Sequence, residues 1–118
     1  MIGYAYISRF RTSSAYRFMV EDSIYVASGA HGAGVGRALL AELITRCEAL
    51  NYRQMIALIA DENASSVSLH EHLGFRRVCL LEGSAFKHGQ WIDTLLMQRA
   101  LGDGNANRPD ESVPAAVE

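Results

Sequence analysis

Along the first hundred positions the spacing of apolar and polar residues changes several times, and each change marks an element. "IGYAYI" reads as a strand that begins almost at Met1, and "SRFRTSSAYRF" is a polar, basic loop or irregular hairpin connection. "EDSIYVA" alternates and is rich in β-formers, so a second strand is expected there. From Val35 the period lengthens: Val35, Leu39, Leu40, Leu43, Ile44, Cys47 and Leu50 fall on one helical face, and Asn51 supplies the stop. "QMIALIA" is a continuous apolar run of strand length, as expected for a strand covered on both faces. "DENASSVSLHEHLGF" predicts a second helix with Asn63 near its start and Gly74 at its end. "RRVCLLEGSAFKHGQWIDTLLMQRAL" predicts two further strands joined through "KHG". From residue 102 the periodicity disappears and Pro, Asn, Asp and Gly collect, so residues 102–118 are expected to be a disordered tail after one domain over 1–101.

Composition narrows the class. A chain of 118 residues with 49% apolar and 20% charged residues has the make-up of one soluble globular domain. The formal charge of -2, with no basic stripe, argues against a nucleic-acid or membrane partner. No apolar run reaches spanning length and the start lacks a signal-peptide layout, so a cytoplasmic location is expected. Cys47 and Cys79 lie far apart in apolar contexts, which suits reduced, buried thiols rather than a disulfide or a metal site. No metal is expected.

The order strand, glycine loop, helix, buried strand predicts a parallel crossover of the βαβ kind. It puts Gly32, Gly34 and Gly36 between the carboxyl end of a strand and the amino end of a helix. Backbone N–H groups there lack intrahelical partners and carry the positive end of the helix dipole, so phosphate is the natural ligand. A glycine-rich turn without a ligand is the competing reading. No Lys-Ser or Lys-Thr follows the glycines as in a P-loop, and the dinucleotide fingerprint G-x-G-x-x-G cannot be laid on them.

The run His31-Gly32-Ala33-Gly34-Val35-Gly36 resembles the Q/R-x-x-G-x-G/A loop of the GNAT acyltransferase superfamily, with His31 where Gln or Arg is usual. "NASSVSLHEHLGFRRV", "GYAYISRFRTSSAYRFMVEDSIYV" and "FKHGQWIDTLLMQ" resemble one branch of it, the phosphinothricin and methionine sulfoximine/sulfone acetyltransferases. The likeness runs from residue 2 to about 101. It implies an α/β (α+β) fold: a mixed, mostly antiparallel sheet with one parallel βαβ crossover and flanking helices. Members of the branch carry a further strand, two helices and another strand ahead of the point where this chain begins, so an N-terminally truncated form is expected. A homodimer is expected to fill the open sheet edge.

The resemblance also implies the chemistry: transfer of the acetyl group of acetyl-coenzyme A to the amine of a small amino-acid-like substrate. A shortened, non-catalytic module that binds coenzyme A or a partner protein is the alternative. Glu21 matches the family's catalytic glutamate and is expected to take the amine proton, against the plainer reading of a solvated strand-end carboxylate. His70 stands where the branch places a histidine; it is expected either to donate to the leaving sulfur or to be a helix-surface residue beside His72. Backbone groups of Ile24, Tyr25 and Val26 are expected to meet the thioester and pantetheine arm. Gly32, Ala33, Gly34, Val35, Gly36 and Arg37 are expected to meet the diphosphate. Asn63 is expected to cap its helix and touch the cofactor. On the substrate side stand Arg11, Thr12, Ser13, Glu21, Asp22 and Ser23, with Arg9 and Arg17 competing for the role of Arg11. Strand alternation sends Asp22 and Glu21 to opposite faces, so the two are not expected to line one cleft. Trp91 is expected to be core or an apolar wall. Lys87 and His88 carry no assigned role.

Overall fold

The computed structural model describes residues 2–30, 32 and 34–112. Five strands and two helices follow one another as β1 (Gly3–Arg9), β2 (Met19–Val26), α1 (Val35–Ala49), β3 (Gln54–Ala60), α2 (Ala64–His72), β4 (Arg76–Lys87) and β5 (Gln90–Ala100). Short 3-10 turns at Ser14–Tyr16 and Ser28–Ala30 flank β2. The sheet order is β1-β2-β3-β5-β4. Only β2 and β3 run parallel, the two strands that the α1 crossover joins. Among the described residues no helix is long and apolar enough to cross a membrane.

Both helices end in the same way, and the sequence explains why. Asn51 after α1 has φ 70° and Gly74 after α2 has φ 91°, the left-handed backbone that Asn and Gly tolerate best. Tyr52 N–H donates to the Cys47 carbonyl and Asn51 N–H to that of Glu48; Phe75 and Gly74 repeat the pattern onto His70 and Glu71. These are Schellman motifs, which satisfy the last helical carbonyls and bring the following residue back against the helix. The second therefore lays Phe75 edge-on to the His70 ring, centroids 4.8 Å apart. At its other end α2 is capped as expected, with Asn63 Oδ1 accepting from Ser66 N–H at 3.1 Å.

The core lies on one face of the sheet. Val20, Met55, Met97 and Leu101 from the sheet side close on Leu40 and Cys47 of α1, all essentially without solvent exposure. Gly3 is what lets α1 come so near β1. A Cβ there would stand 2.7 Å from the Tyr25 carbonyl oxygen and 3.1 Å from Leu39 Cδ1. Gly3→Val is therefore expected to lower the unfolding free energy by about 1–3 kcal/mol, read as a lower urea midpoint at unchanged slope.

The opposite face is open. Tyr4, Tyr6 and Tyr25 stack across β1 and β2, each about half exposed. Met55, Ala57 and Ile59 meet the core and Ile56 on the other face is buried as well, so β3 departs from the expected cover on both faces at Leu58, which is 44% exposed. Cys79 is also exposed, on edge strand β4; only Cys47 is the buried thiol expected of both. Burial, with Asp22 and Glu48 adding to it, pushes the Cys47 thiol up to about 11. Trp91, at 69% exposure, packs only edge-on against Phe86 across the β4–β5 hairpin and is no part of the core. His88 and Gly89 form the two-residue turn of that hairpin, both at positive φ as a type I′ turn requires.

The segment after β5 is not loose up to Ser112. Arg53 donates to the carbonyls of Gly104 and Arg108, Glu48 accepts from the Gly102 N–H, and Leu101 is fully buried. The expected disorder thus does not hold for residues 102–112, because the body offers charged groups that satisfy their backbone. Residues 113–118 lie outside the described part.

Candidate active site

Strand pairing decides where the chemistry can sit. β1 and β2 share seven paired positions, and β3 and β5 share seven, whereas β2 and β3 pair only as Met19–Gln54, Val20–Met55 and Glu21–Ile56. Beyond Glu21 the two parallel strands part. A polar opening of about 280 Å³ follows, bordered by Glu21 to Tyr25 on one side, Ala57 to Ile59 on the other, and His70 and Ser66 of α2.

Glu21 stands at the point of divergence. It is partly buried, and that burial, helped by the negative charge of Asp22, raises its pKa above the ordinary 4.5. A carboxylate with a raised pKa at a cleft is a better proton acceptor than a solvated surface one. Met19 and Ile56 share its face and border an apolar groove of about 410 Å³ with Phe10, Tyr16, Phe18 and Leu96. Arg11 is exposed beside the groove, its guanidinium 5.4 Å from the centre of the Tyr16 ring. Thr12 and Ser13 are exposed in the same loop, which Arg9 ties down by donating to the Thr12 carbonyl and Arg17 by donating to that of Ser14. Ser23 lies two residues beyond Glu21 on the same face.

Asp22 points to the helix side, as alternation requires. Even so, both it and Glu21 border the opening, because the gap passes through the sheet instead of lying over one face. This corrects the expectation that the two cannot share a cleft. Asp22 is 6% exposed and both its oxygens lie 3.1 Å from His70 Nε2. That withdraws it from the substrate contact expected of it. His70 is 2% exposed, so the surface reading fails. Its Nδ1 donates to the Ser66 carbonyl at 2.8 Å and its Nε2 faces Asp22. Neither nitrogen has an N–H to spare for a leaving sulfur in this geometry. No sequence signal joined Asp22 to His70, since the two are 48 positions apart.

Burial alone would push the His70 pKa down, but the hydrogen bond and charge of Asp22, with the Ser66 carbonyl, outweigh it and raise it above 6.5. A group that binds its proton more tightly when folded stabilises the fold at low pH. Its contribution is complete below about pH 6.5 and is lost as pH rises through the folded value. Urea midpoints taken between pH 6 and pH 9 are expected to fall for the native chain, and to fall less for Asp22→Asn.

At the carboxyl end of β2 the glycine loop enters α1. Gly32 (φ 84°) and Gly34 (φ 79°) both need left-handed backbone, and a Cβ on either would have nothing within 4 Å. Gly34 is the N-cap of a 15-residue helix with no acidic residue in its first turn. Gly36 differs: its free side faces Leu69 of α2 at 3.4 Å and Val26 at 3.6 Å, ordinary contact distances for a small side chain. Val35 opens α1 and Arg37 is exposed on it. His31 and Ala33 lie outside the described residues. Asn63 has its carbonyl oxygen occupied by Ser65 and Ser66, which accounts for it as a cap.

A split parallel pair, a glycine loop at the head of the following helix and a glutamate at the split thus stand together in one α/β domain. A profile of the acetyltransferase (GNAT) domain matches residues 1–96, and the chain belongs to the GNAT family. It is 49% identical over 111 residues to a phosphinothricin N-acetyltransferase of Alcaligenes faecalis, covering 93% of this chain and 56% of that protein. It is 36% identical over 101 residues to an L-methionine sulfoximine/L-methionine sulfone acetyltransferase of Salmonella typhimurium, covering 86% of this chain and 59% of that one. The fold matches a crystal structure of a phosphinothricin acetyltransferase from Sinorhizobium meliloti in complex with acetyl-coenzyme A. There the TM-score is 0.91 and the identity 55%, over 95% of this chain and 60% of that one. The chain thus spans somewhat under two thirds of the length of these relatives.

Proposed function

We propose that this chain carries the coenzyme-binding and base-bearing part of an N-acetyltransferase for small amino-acid-like amines, of the phosphinothricin or methionine sulfoximine/sulfone type. The observation that carries the reading is the ladder that stops at Glu21. It leaves the β3 side of β2 without strand pairing from Asp22 onward, next to a half-buried carboxylate. The backbone of Ile24 borders that opening and offers a donor to a thioester arm. The open sides of Gly32 and Gly34, at the amino end of α1, suit a diphosphate. Acetyl-coenzyme A supplies the acyl group as a thioester. Glu21 accepts the proton that the amine loses as the C–N bond forms and the C–S bond breaks. The apolar groove beside Met19 and Ile56 takes the substrate's side chain, and Arg11, next to the groove residue Tyr16, meets its carboxylate.

A second reading has its own support. The face that carries Glu21 is open to solvent along Tyr4, Tyr6 and Tyr25, and a transferase has to hold its amine close to the thioester and away from water. A chain that binds coenzyme A without turnover, or that dimerises through the unpaired edge of β1, fits that openness. Thiol release from acetyl-coenzyme A, measured with phosphinothricin, methionine sulfone and glutamate beside light scattering, separates the two. Release with the first two amines supports the transferase. Coenzyme binding by calorimetry with no release from any amine supports the binding module.

A further inference from the structure

Among the described residues, Asp22 and His70 are the buried polar or charged side chains, and proton transfer at Glu21 does not use them. His70 Nδ1 faces a carbonyl, which only accepts, so that nitrogen carries hydrogen. Nε2 faces two carboxylate oxygens at 3.1 Å. A bare lone pair there would repel both, so the pair keeps one proton between them. The position of this pair gives it meaning. Asp22 is the first residue of β2 past the end of the β3 ladder, and His70 belongs to the helix that follows β3. The contact joins the two sides of the split at its root. Apart from His70, α2 buries only Val67.

We propose that Asp22 is a positioning residue: through a single retained proton it ties α2 to β2 and sets the width of the gap for the coenzyme arm. The inference rests on the acetyltransferase reading for its last step only. Few other groups perturb the pair. β2 contributes Glu21 and α1 contributes Cys47, whose thiol is neutral because burial raises its pKa. β1 presents Ile7, and β3 presents Ala57 and Ile59, none of them titratable. Deprotonation of the pair leaves one buried negative charge without its partner, which favours loosening of α2.

The test is the 15N signals of the His70 imidazole in the native chain and in Asp22→Asn, with amide hydrogen exchange over α2. In the native chain both ring nitrogens are expected to stay protonated at a pH just above the ordinary imidazole value of 6.5. In Asp22→Asn the ring is expected to be neutral with its proton on Nδ1, and α2 to exchange about tenfold faster. A neutral ring in the native chain at that pH, or unchanged α2 exchange in a folded Asp22→Asn chain, overturns the proposal. Should Asp22→Asn not fold, the native chain decides. Its α2 exchange, corrected for intrinsic pH dependence, should quicken as His70 titrates, and a flat profile overturns the proposal. Coenzyme A affinity by calorimetry should fall over the same pH interval in the native chain and be flat in Asp22→Asn; a fall of equal size in both overturns the link to gap width. A native chain that binds no coenzyme A overturns the transferase reading and the link to coenzyme, while the imidazole and exchange data still decide the tie itself.

Discussion

Glu21→Gln is expected to cut thiol release by roughly 10²- to 10⁴-fold while coenzyme A affinity stays within about twofold of the native chain. The amide keeps the size of the side chain and its acceptor oxygen but takes no proton from the amine. The pH dependence carries a sign of its own. Because burial and Asp22 raise the Glu21 pKa, the base is active only above a value higher than the ordinary 4.5. In the native chain kcat/KM should rise with pH through that value and then level until another group titrates. In Glu21→Gln that acidic limb should be gone. An identical limb in the variant would assign the titration, and the base, to another residue.

Gly34→Asp should abolish coenzyme A binding, with a loss of at least about 10²-fold, and yet leave the fold intact. The residue caps α1 from left-handed backbone, where Asp and Asn are the side chains most readily accommodated. A carboxylate at a helix N-terminus is moreover favourable to the helix. The same charge repels a diphosphate aimed at those N–H groups. Gly34→Asn separates the two effects, since it adds the Cβ without the charge and should keep a larger part of the affinity. Calorimetry with coenzyme A, beside far-UV circular dichroism, reads both. Equal affinity in the native chain and Gly34→Asp would remove the anion from this loop. Gly34 suits the test better than Gly36, because a Cβ at Gly34 meets nothing within 4 Å whereas one at Gly36 would touch Leu69 and Val26.

Much of this was legible before any fold was known. The helix from Val35 and the strand Gln54–Ala60 fall where the apolar period put them, since each has a face or run that must be buried. Asn51, Asn63 and Gly74 mark helix ends through local backbone chemistry, which needs no tertiary partner. The resemblance in the glycine loop and around Glu21 pointed to the family that the domain profile matches over residues 1–96. Misreadings arose where a neighbour distant in sequence decided. The need for glycine at position 3 comes from α1 and the Tyr25 carbonyl, neither of which its own stretch of chain records. Trp91 and Leu58 look like core residues, yet both are exposed, Trp91 because it sits near the end of the β4–β5 hairpin.

Residue by residue, then, the chain determined its own elements, their caps and the chemical types gathered at the glycine loop and at Glu21. All of these follow from interactions over a few positions, or from one side chain's own chemistry. The tertiary structure alone decided how far β2 and β3 pair, and hence that the ladder ends at Glu21. It also decided that Asp22 spends its charge on His70, 48 positions away. A local pattern records which face a side chain takes. It does not record where two strands part, because that depends on the helix that borders the gap and on a buried charge that only the assembled core brings to its partner.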